Sequence, residues 1–293
     1  MSLRILIAGG DGQVGKEFAD LAVENVELLR CKRSDLDITQ PVSIQRTFEK
    51  YRPDAVINAA AYTAVDRAES EPDLAFAVNA IGAGNLAQVA QTHDIPLLHI
   101  STDYVFSGDK ATGKAWLESD ICEPRSVYGH SKRVGEEQVL DMCGRAFVMR
   151  TSWVFGRYGN NFPKTMLRLA RERDELRVVG DQYGCPTHAA DIATTLVKAA
   201  IAMMEENLQS GIYHYAGAPT CSWHAFASAI IERAFVLGLL EKKPNVISIA
   251  THEYPTAAQR PMNSEMCCKK LQQALGISAP QWNDALDVLL KNG

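Results

Sequence analysis

Three side chains in this sequence could together move a proton onto a carbonyl oxygen: Thr102, Tyr128 and Lys132. Tyr128 and Lys132 stand at i and i+4, which on a helix puts both on one face and lets both enter one pocket. A phenol ordinarily loses its proton near pH ~10, and an ammonium beside it favours the phenolate, so the pair suits proton exchange near neutrality. Thr102 lies just past an apolar run, Pro96-Leu97-Leu98-His99-Ile100, in the polar group Ser101-Thr102-Asp103. A hydroxyl delivered from such a strand end could hold the same oxygen. Tyr-x-x-x-Lys by itself recurs by chance, with a packed tyrosine and a solvated lysine, so its meaning depends on the elements around it.

Those elements must bring a strand end and a helix start together. Residues 3–8 read as a strand and are followed by Gly9-Gly10-Asp11-Gly12-Gln13-Val14-Gly15 and a helix over 16–24. Glycines at 9, 12 and 15 allow a sharp turn and close backbone approach to a dinucleotide pyrophosphate at a helix start. The second strand, residues 26–29, ends in Arg30-Cys31-Lys32-Arg33. Basic residues there accommodate a 2′-phosphate, so Arg30 tilts the cofactor toward NADPH, with NADH use left open. A third strand ends in Asn58-Ala59-Ala60-Ala61, small enough for a flat ligand or its phosphates to lie close, and runs on into Tyr62-Thr63. Residues 65–71 and 73–93 read as helix broken near Pro72, with Asn79 passing beside the glycine turn. Strands up to Val105 and over 146–156 also turn polar at their carboxyl ends. The alternation predicts an α/β fold, a Rossmann-type doubly wound parallel sheet with every polar cluster at one edge.

Beyond Gly156 the pattern loosens. Residues 1–156 are expected to form the NAD(P)-binding unit, with a contribution from about 176–216. Residues 157–175 and 217–293 are expected to form a smaller, interleaved C-terminal substrate-binding cap. The composition, 46% hydrophobic and 22% charged, is that of an ordinary globular chain. A net charge of −5 argues against a nucleic-acid binder. No apolar run approaches the ~20 residues that span a bilayer, and the N-terminus lacks a signal-peptide cleavage pattern. Seven cysteines without a C-x-x-C pair, and seven histidines without ligand spacing, read as reduced cytoplasmic thiols and no zinc site.

The glycine turn, Thr102 and Tyr128-x-x-x-Lys132 together resemble the extended short-chain dehydrogenases/reductases. Longer segments are similar to the dTDP-4-dehydrorhamnose reductases: residues 12–15, 58–66, 101–106, 150–154 and 181–187, then Tyr254-Pro255-Thr256 and Arg260-Pro261-x-Asn263-Ser264. The resemblance implies NAD(P)H-dependent reduction of the C4 ketone of a dTDP-4-dehydro-6-deoxyhexose to dTDP-L-rhamnose, for polysaccharide biosynthesis. It implies that Tyr128 protonates the C4 oxygen, that Lys132 lowers the phenol pKa and holds the nicotinamide ribose, and that Thr102 orients the ketone. Asp103 and Trp153 match sugar-contacting positions. Gly12, Gln13, Val14, Asp37, Ile38, Ala61, Tyr62 and Thr63 match cofactor-contacting ones, to which the turn and strand-end readings add Gly9 and Ala60. Arg260 is open between a diphosphate contact and an internal ion pair.

Some bacterial members bind Mg²⁺ through three glutamates at a dimer interface. Glu17 matches the first, but residues 187–191 carry alanine where the second would fall, and the chain ends Leu-Lys-Asn-Gly. No metal site is expected, and the subunit number stays open, a homodimer included. Two rival readings share the resemblance: a sugar-nucleotide 4-epimerase or dehydratase, and a non-catalytic subunit like the regulatory subunit of methionine adenosyltransferase.

Overall fold

The computed structural model describes residues 2–292. Short apolar runs bounded by polar or glycine-rich turns become β1 (Leu3–Ala8), β2 (Val26–Cys31), β3 (Ala55–Asn58), β4 (Leu97–Thr102), β5 (Ala146–Thr151), β6 (Glu175–Val179), β7 (Gly211–His214) and β8 (Asn245–Ile249). The principal helices are α1 (Gln13–Glu17), α2 (Pro41–Tyr51), α3 (Ala83–Thr92), α4 (Val127–Met142), α5 (Phe162–Glu172), α6 (Ala189–Met204), α7 (Trp223–Val236) and α8 (Trp282–Asn292). Six strands form one parallel sheet in the order β7-β5-β4-β3-β1-β2.

The inner strands are apolar on both faces, as a sheet covered on both sides requires. Ile5, Ile7, Ile57, Leu98 and Met149 pack under Ile192, Leu196 and Ala200 of α6. Leu6, Val56, Leu97 and Val148 pack on the other face against Ile44, Phe48, Leu86 and Val139 from α2, α3 and α4. Each such side chain contributes ~1.5–3 kcal/mol by leaving water. The strand order runs outward from β1 to β2 and from β3 to β7. The turns leaving β1 and β3 therefore diverge and open a crevice at the carboxyl edge, where open α/β sheets bind ligands.

Three local outcomes differ from the sequence expectation. The first helix is only five residues long. It tightens at once into i→i−3 bonds, Ala19 N–H to Lys16 O and Asp20 N–H to Glu17 O, and the chain turns away. Its short dipole leaves the backbone of the glycine turn as the main feature for a phosphate. The helix over 73–93 is interrupted by a π-helical turn, Ala77–Gly82, which contains Asn79. Glu175–Val179, grouped by sequence with the first unit, pairs instead with Asn245–Ile249 in a separate two-stranded sheet. Leu176 and Val178 are buried while Glu175 and Arg177 are exposed, the alternation of a strand covered on one face only. Its apolar face joins Met166, Phe226, Ile230, Trp282 and Leu286 of α5, α7 and α8 in a second core. By contrast α6 packs on the large sheet and β7 forms its edge. Among the described residues, no helix is long and apolar enough to cross a membrane.

Candidate active site

Thr102 ends β4, and its hydroxyl accepts the Tyr104 N–H at 3.2 Å and donates to Asp103 Oδ1 at 3.0 Å. The first bond caps a short 3₁₀ turn, Asp103–Val105, which fixes the threonine at the sheet edge. The Ser126 side chain accepts the Gly129 N–H at 3.1 Å and so caps α4, placing Tyr128 in its first turn. That turn lies directly on residues 103–105. A Cβ at Gly129 would come within 2.2 Å of Tyr104 O, so only glycine permits the approach. Tyr104 and Tyr128 then meet edge to face, ring centres 5.5 Å apart.

Desolvation pushes the Tyr128 phenol up to about 12, with hydrogen bonding to Thr102 acting in the opposite direction. Lys132 is 2% exposed, and burial brings its ammonium down to about 8, against the pull of Glu136. Its Nζ donates to Ile100 O at 2.7 Å and lies 3.1 Å from His99 Nε2. In this arrangement burial sets the phenol above its usual value, with the Lys132 ammonium turned to the strand. Tyr128 is thus a fully protonated acid at neutral pH, while Lys132 titrates close to it.

Asp103 is 3% exposed, accepts a hydrogen bond from Ser264 at Oδ2, and is pushed up to about 6 by burial. Its partner ties the C-terminal segment to the site. Arg260 donates to Asp66 Oδ2 at 2.8 Å, so the internal pair is formed, and the same side chain lines a cavity of about 420 Å³ with Tyr104, Phe162, Met166, Arg173 and Trp223. Trp153 adopts a left-handed backbone, φ 47°, and stacks on Trp223 with ring centres 3.5 Å apart and planes 9° from parallel. Trp223, which sequence reasoning passed over as part of a helix, is the indole on the cavity wall, and Trp153 stands behind it.

A second cavity, about 260 Å³, occupies the crevice beyond β1 and β3. Gly9, Gly12, Asp37, Ile38, Ala60, Ala61 and Tyr62 line it, as the sequence led one to expect, together with Arg33. The turn is tight: Gly9 has φ 78°, and a Cβ at Gly15 would sit 2.1 Å from Gly9 O. Asp37 accepts the Thr39 hydroxyl at 2.7 Å, which holds its carboxyl below the usual range. Four expected residues lie off this wall. Val14 packs into the core under α6, Gln13 sits against Gly159 with its buried Nε2 unpartnered, and Thr63 is exposed just past Tyr62. Arg30 joins Phe18, Val26 and Leu28 around a separate depression. Strand alternation is the reason: residues 26, 28 and 30 share the face away from the crevice, and Arg33, beyond the strand, reaches it instead.

Asn79 links the crevice to the catalytic helix. Its Oδ1 accepts the Tyr62 N–H at 2.8 Å, and its Nδ2 donates to Tyr62 O at 3.0 Å and to Ser131 Oγ at 2.9 Å. Ser131 in turn donates to Tyr128 O at 2.8 Å. Its one sequence signal was a polar residue in an alanine-rich helix. Glu17 is 5% exposed with Oε1 unpartnered, and burial raises its carboxyl, with Asp20 and Asp191 adding to the rise. Among the described residues no group of three or more His, Cys, Asp or Glu side chains could hold a metal ion.

A parallel sheet with a glycine turn at its switch point, and a Thr, Tyr and Lys set at the same edge, define a Rossmann-type, nucleotide-dependent oxidoreductase. The family model described as the RmlD substrate binding domain matches residues 3–293, and the chain belongs to that family. A dTDP-4-dehydrorhamnose reductase from Aggregatibacter actinomycetemcomitans is 46% identical over 97% of this chain and 97% of its own length. One from Sinorhizobium fredii is 40% identical over 97% of this chain and 95% of its own. The crystal structure of dTDP-4-dehydrorhamnose reductase from Bacillus anthracis in complex with NADP superposes with a TM-score of 0.91, at 37% identity and covering 100% of both chains.

Proposed function

We propose that this chain is a dTDP-4-dehydrorhamnose reductase, which reduces the C4 ketone of dTDP-4-dehydro-6-deoxy-L-mannose to dTDP-L-rhamnose with NADPH. The observation that carries the reading is the meeting of Thr102 at the end of β4 with Tyr128 and Lys132 on α4, with Tyr104 touching Tyr128 and forming part of the cavity wall. The relatives' names favour a reductase over an epimerase, and the assembled Thr, Tyr and Lys set favours an enzyme over a regulatory subunit.

The crevice fits a dinucleotide. A turn in which a single Cβ would collide with backbone leaves room for phosphates, Ile38 and Asp37 flank the place for an adenine and ribose, and Arg33 offers a cation to a 2′-phosphate. NADPH, when bound, supplies the hydride. Thr102 Oγ, its proton turned from Asp103 Oδ1, donates to the ketone oxygen, and Tyr128 gives that oxygen its proton as the charge grows there, since an alkoxide is a stronger base than a phenolate. Lys132, one helical turn away and anchored on Ile100 O, stabilises the phenolate that results. Phe162 and Trp223 offer flat apolar faces to the nucleotide base, while Arg173 and Arg260 offer charge to the diphosphate. The large sheet with α6 and β7 carries the cofactor, and the unit built on β6, β8, α5, α7 and α8 closes over the sugar nucleotide. Seven free cysteines suit a reducing cytoplasm.

The test is NADPH oxidation with the dTDP-4-keto sugar. Tyr128→Phe is expected to lower kcat by ~10²–10⁴-fold with KM little changed. Equal rates would remove Tyr128 as the acid, and tightly held NAD with no net NADPH consumption would move the chain to the epimerases.

A further inference from the structure

Polar side chains inside apolar strands are costly unless paired, and two neighbouring strands of the large sheet carry one each. Asn58 ends β3 and His99 lies within β4, and the two are Cα partners in the parallel register, so their side chains leave the sheet on the same face. Asn58 is 1% exposed and His99 not at all. Asn58 Oδ1 accepts the Ala60 N–H at 3.1 Å, which leaves its amide nitrogen facing His99 Nδ1 at 3.0 Å. Across the ring, Nε2 lies 3.1 Å from Lys132 Nζ. We propose that Asn58 and His99 are positioning residues for Lys132, a buried amide–imidazole relay that fixes Nζ and ties the protonation of the lysine to the tautomer of the ring. The inference rests on the reading of Lys132 as the charge that stabilises the Tyr128 phenolate.

The relay has a direction. An amide that spends its oxygen on Ala60 can only donate to Nδ1, so the neutral ring carries its proton on Nε2. That N–H confronts Nζ. An ammonium has no lone pair to accept it, whereas a neutral amine has one. Protonating Lys132 therefore asks the ring to change tautomer, which sets Nδ1–H against the Asn58 NH₂ group or turns the amide and breaks its bond to Ala60. Burial holds the imidazole neutral, so the ring does not escape by taking a charge. The other charged groups around the site are accounted for. Glu136, one turn further along α4, favours the ammonium and is itself held by Arg133 and by Arg150 of β5. Asp103 acts on Tyr128, and Tyr104 meets its ring edge to face. Ala60 lines the crevice, so the same amide joins the cofactor wall to the lysine.

Asn58→Asp is the discriminating variant. It keeps an oxygen for the Ala60 N–H and replaces the NH₂ donor by an acceptor, so Nδ1 must carry the proton and Nε2 turns a lone pair to the ammonium. In the full-length protein labelled with ¹⁵N-histidine, His99 of the wild type is expected as the Nε2–H tautomer above about pH 8, where Lys132 is neutral, and to leave that tautomer as the lysine takes its proton below it, whereas in Asn58→Asp it is expected as Nδ1–H on both sides. In NADPH oxidation the alkaline limb of kcat/KM, near pH 8 in the wild type, is expected to move up by about one unit or more. Placed in a His99→Phe background, Asn58→Asp is expected to lose most of that shift. A wild-type ring still protonated on Nδ1 above about pH 8, or one whose tautomer does not change as Lys132 titrates, overturns the relay without any variant, as does an alkaline limb that Asn58→Asp leaves in place. If Tyr128→Phe works at the wild-type rate while His99 changes tautomer as described, the relay stands and the assignment of Tyr128 falls.

Discussion

Removing the charge of Glu136 tests how the helix that carries Tyr128 and Lys132 is fixed to the sheet. Glu136 is fully buried, and it receives Arg150 Nε at 2.8 Å and Nη2 at 2.7 Å from β5, with Arg133 Nη1 at 3.1 Å from its own helix. Arg150 is 1% exposed and lies over the Phe106 ring at 5.0 Å; among the described residues its Nη1 is unpartnered, and beyond Glu136 its Nη2 reaches only the Cys122 thiol, at 3.1 Å. Glu136→Gln therefore strands a guanidinium in the interior. Breaking a buried pair in this way costs ~3–5 kcal/mol, whereas an exposed pair is worth no more than ~1 kcal/mol. In a chain of this size that corresponds to a fall of roughly 5–8 °C in Tm. Glu136→Gln combined with Arg150→Met removes the stranded charge, so much of the loss should return. Urea denaturation of the wild type, both single variants and the double variant forms a complete cycle, with an expected coupling of at least ~2 kcal/mol. The same substitution removes a group that favours the Lys132 ammonium, so the alkaline limb of the rate profile should move down from about 8. A single-variant loss under ~1 kcal/mol, or a double variant no more stable than Glu136→Gln, refutes the view that this pair clamps α4 to β5.

Three further outcomes follow from the geometry. Gly15→Ala puts a methyl group 2.1 Å from Gly9 O, so the turn must open; NADPH affinity, read from its fluorescence, should fall by at least ~10-fold, and unchanged affinity would contradict a phosphate site there. Arg33→Ser should raise the KM for NADPH by ~10-fold or more while sparing NADH, and a parallel change for both cofactors would count against a 2′-phosphate contact. Asp103 is pushed up to about 6 by burial, so its folded state holds a proton that the unfolded chain has lost. Its contribution is present below about pH 4 and is lost as pH rises through about 6, so Asp103→Asn should stabilise the protein by ~2–3 kcal/mol at pH 8 and by almost nothing at pH 4. Equal gains at both pH values in urea melts would show that the carboxyl does not titrate as described.

The parts of the fold that were legible in the sequence are those written locally. A strand, three glycines at fixed spacing and an alanine-rich strand end identify the crevice without tertiary information, and the switch from apolar to polar at residues 100–103 marks a sheet edge. Tyr128 and Lys132 are joined by helical spacing alone. What escaped depends on side-chain parity or on distant pairing. Arg30 and Arg33 are equivalent as text, and only the true end of β2 at Cys31 separates them: alternation within the strand sends Arg30 away from the crevice, and the turn that follows carries Arg33 to its wall. Glu175–Val179 reads as a strand, yet its partner lies 70 residues further along the chain. His99 and Arg150 look like isolated polar residues in apolar runs, because the amide, amine and carboxylate that satisfy them come from other elements.

The stacked indoles of Trp153 and Trp223 have a spectroscopic consequence. Two nearly parallel chromophores 3.5 Å apart share their excited states. Trp153 follows the last residues of β5 in the large sheet, and Trp223 opens α7 on the wall of the 420 Å³ cavity. The pair is therefore a built-in optical gauge of how α7 sits against the end of β5: a shift of one against the other by a fraction of a ring width decouples the transitions, and near-ultraviolet circular dichroism and intrinsic emission read it with no label attached.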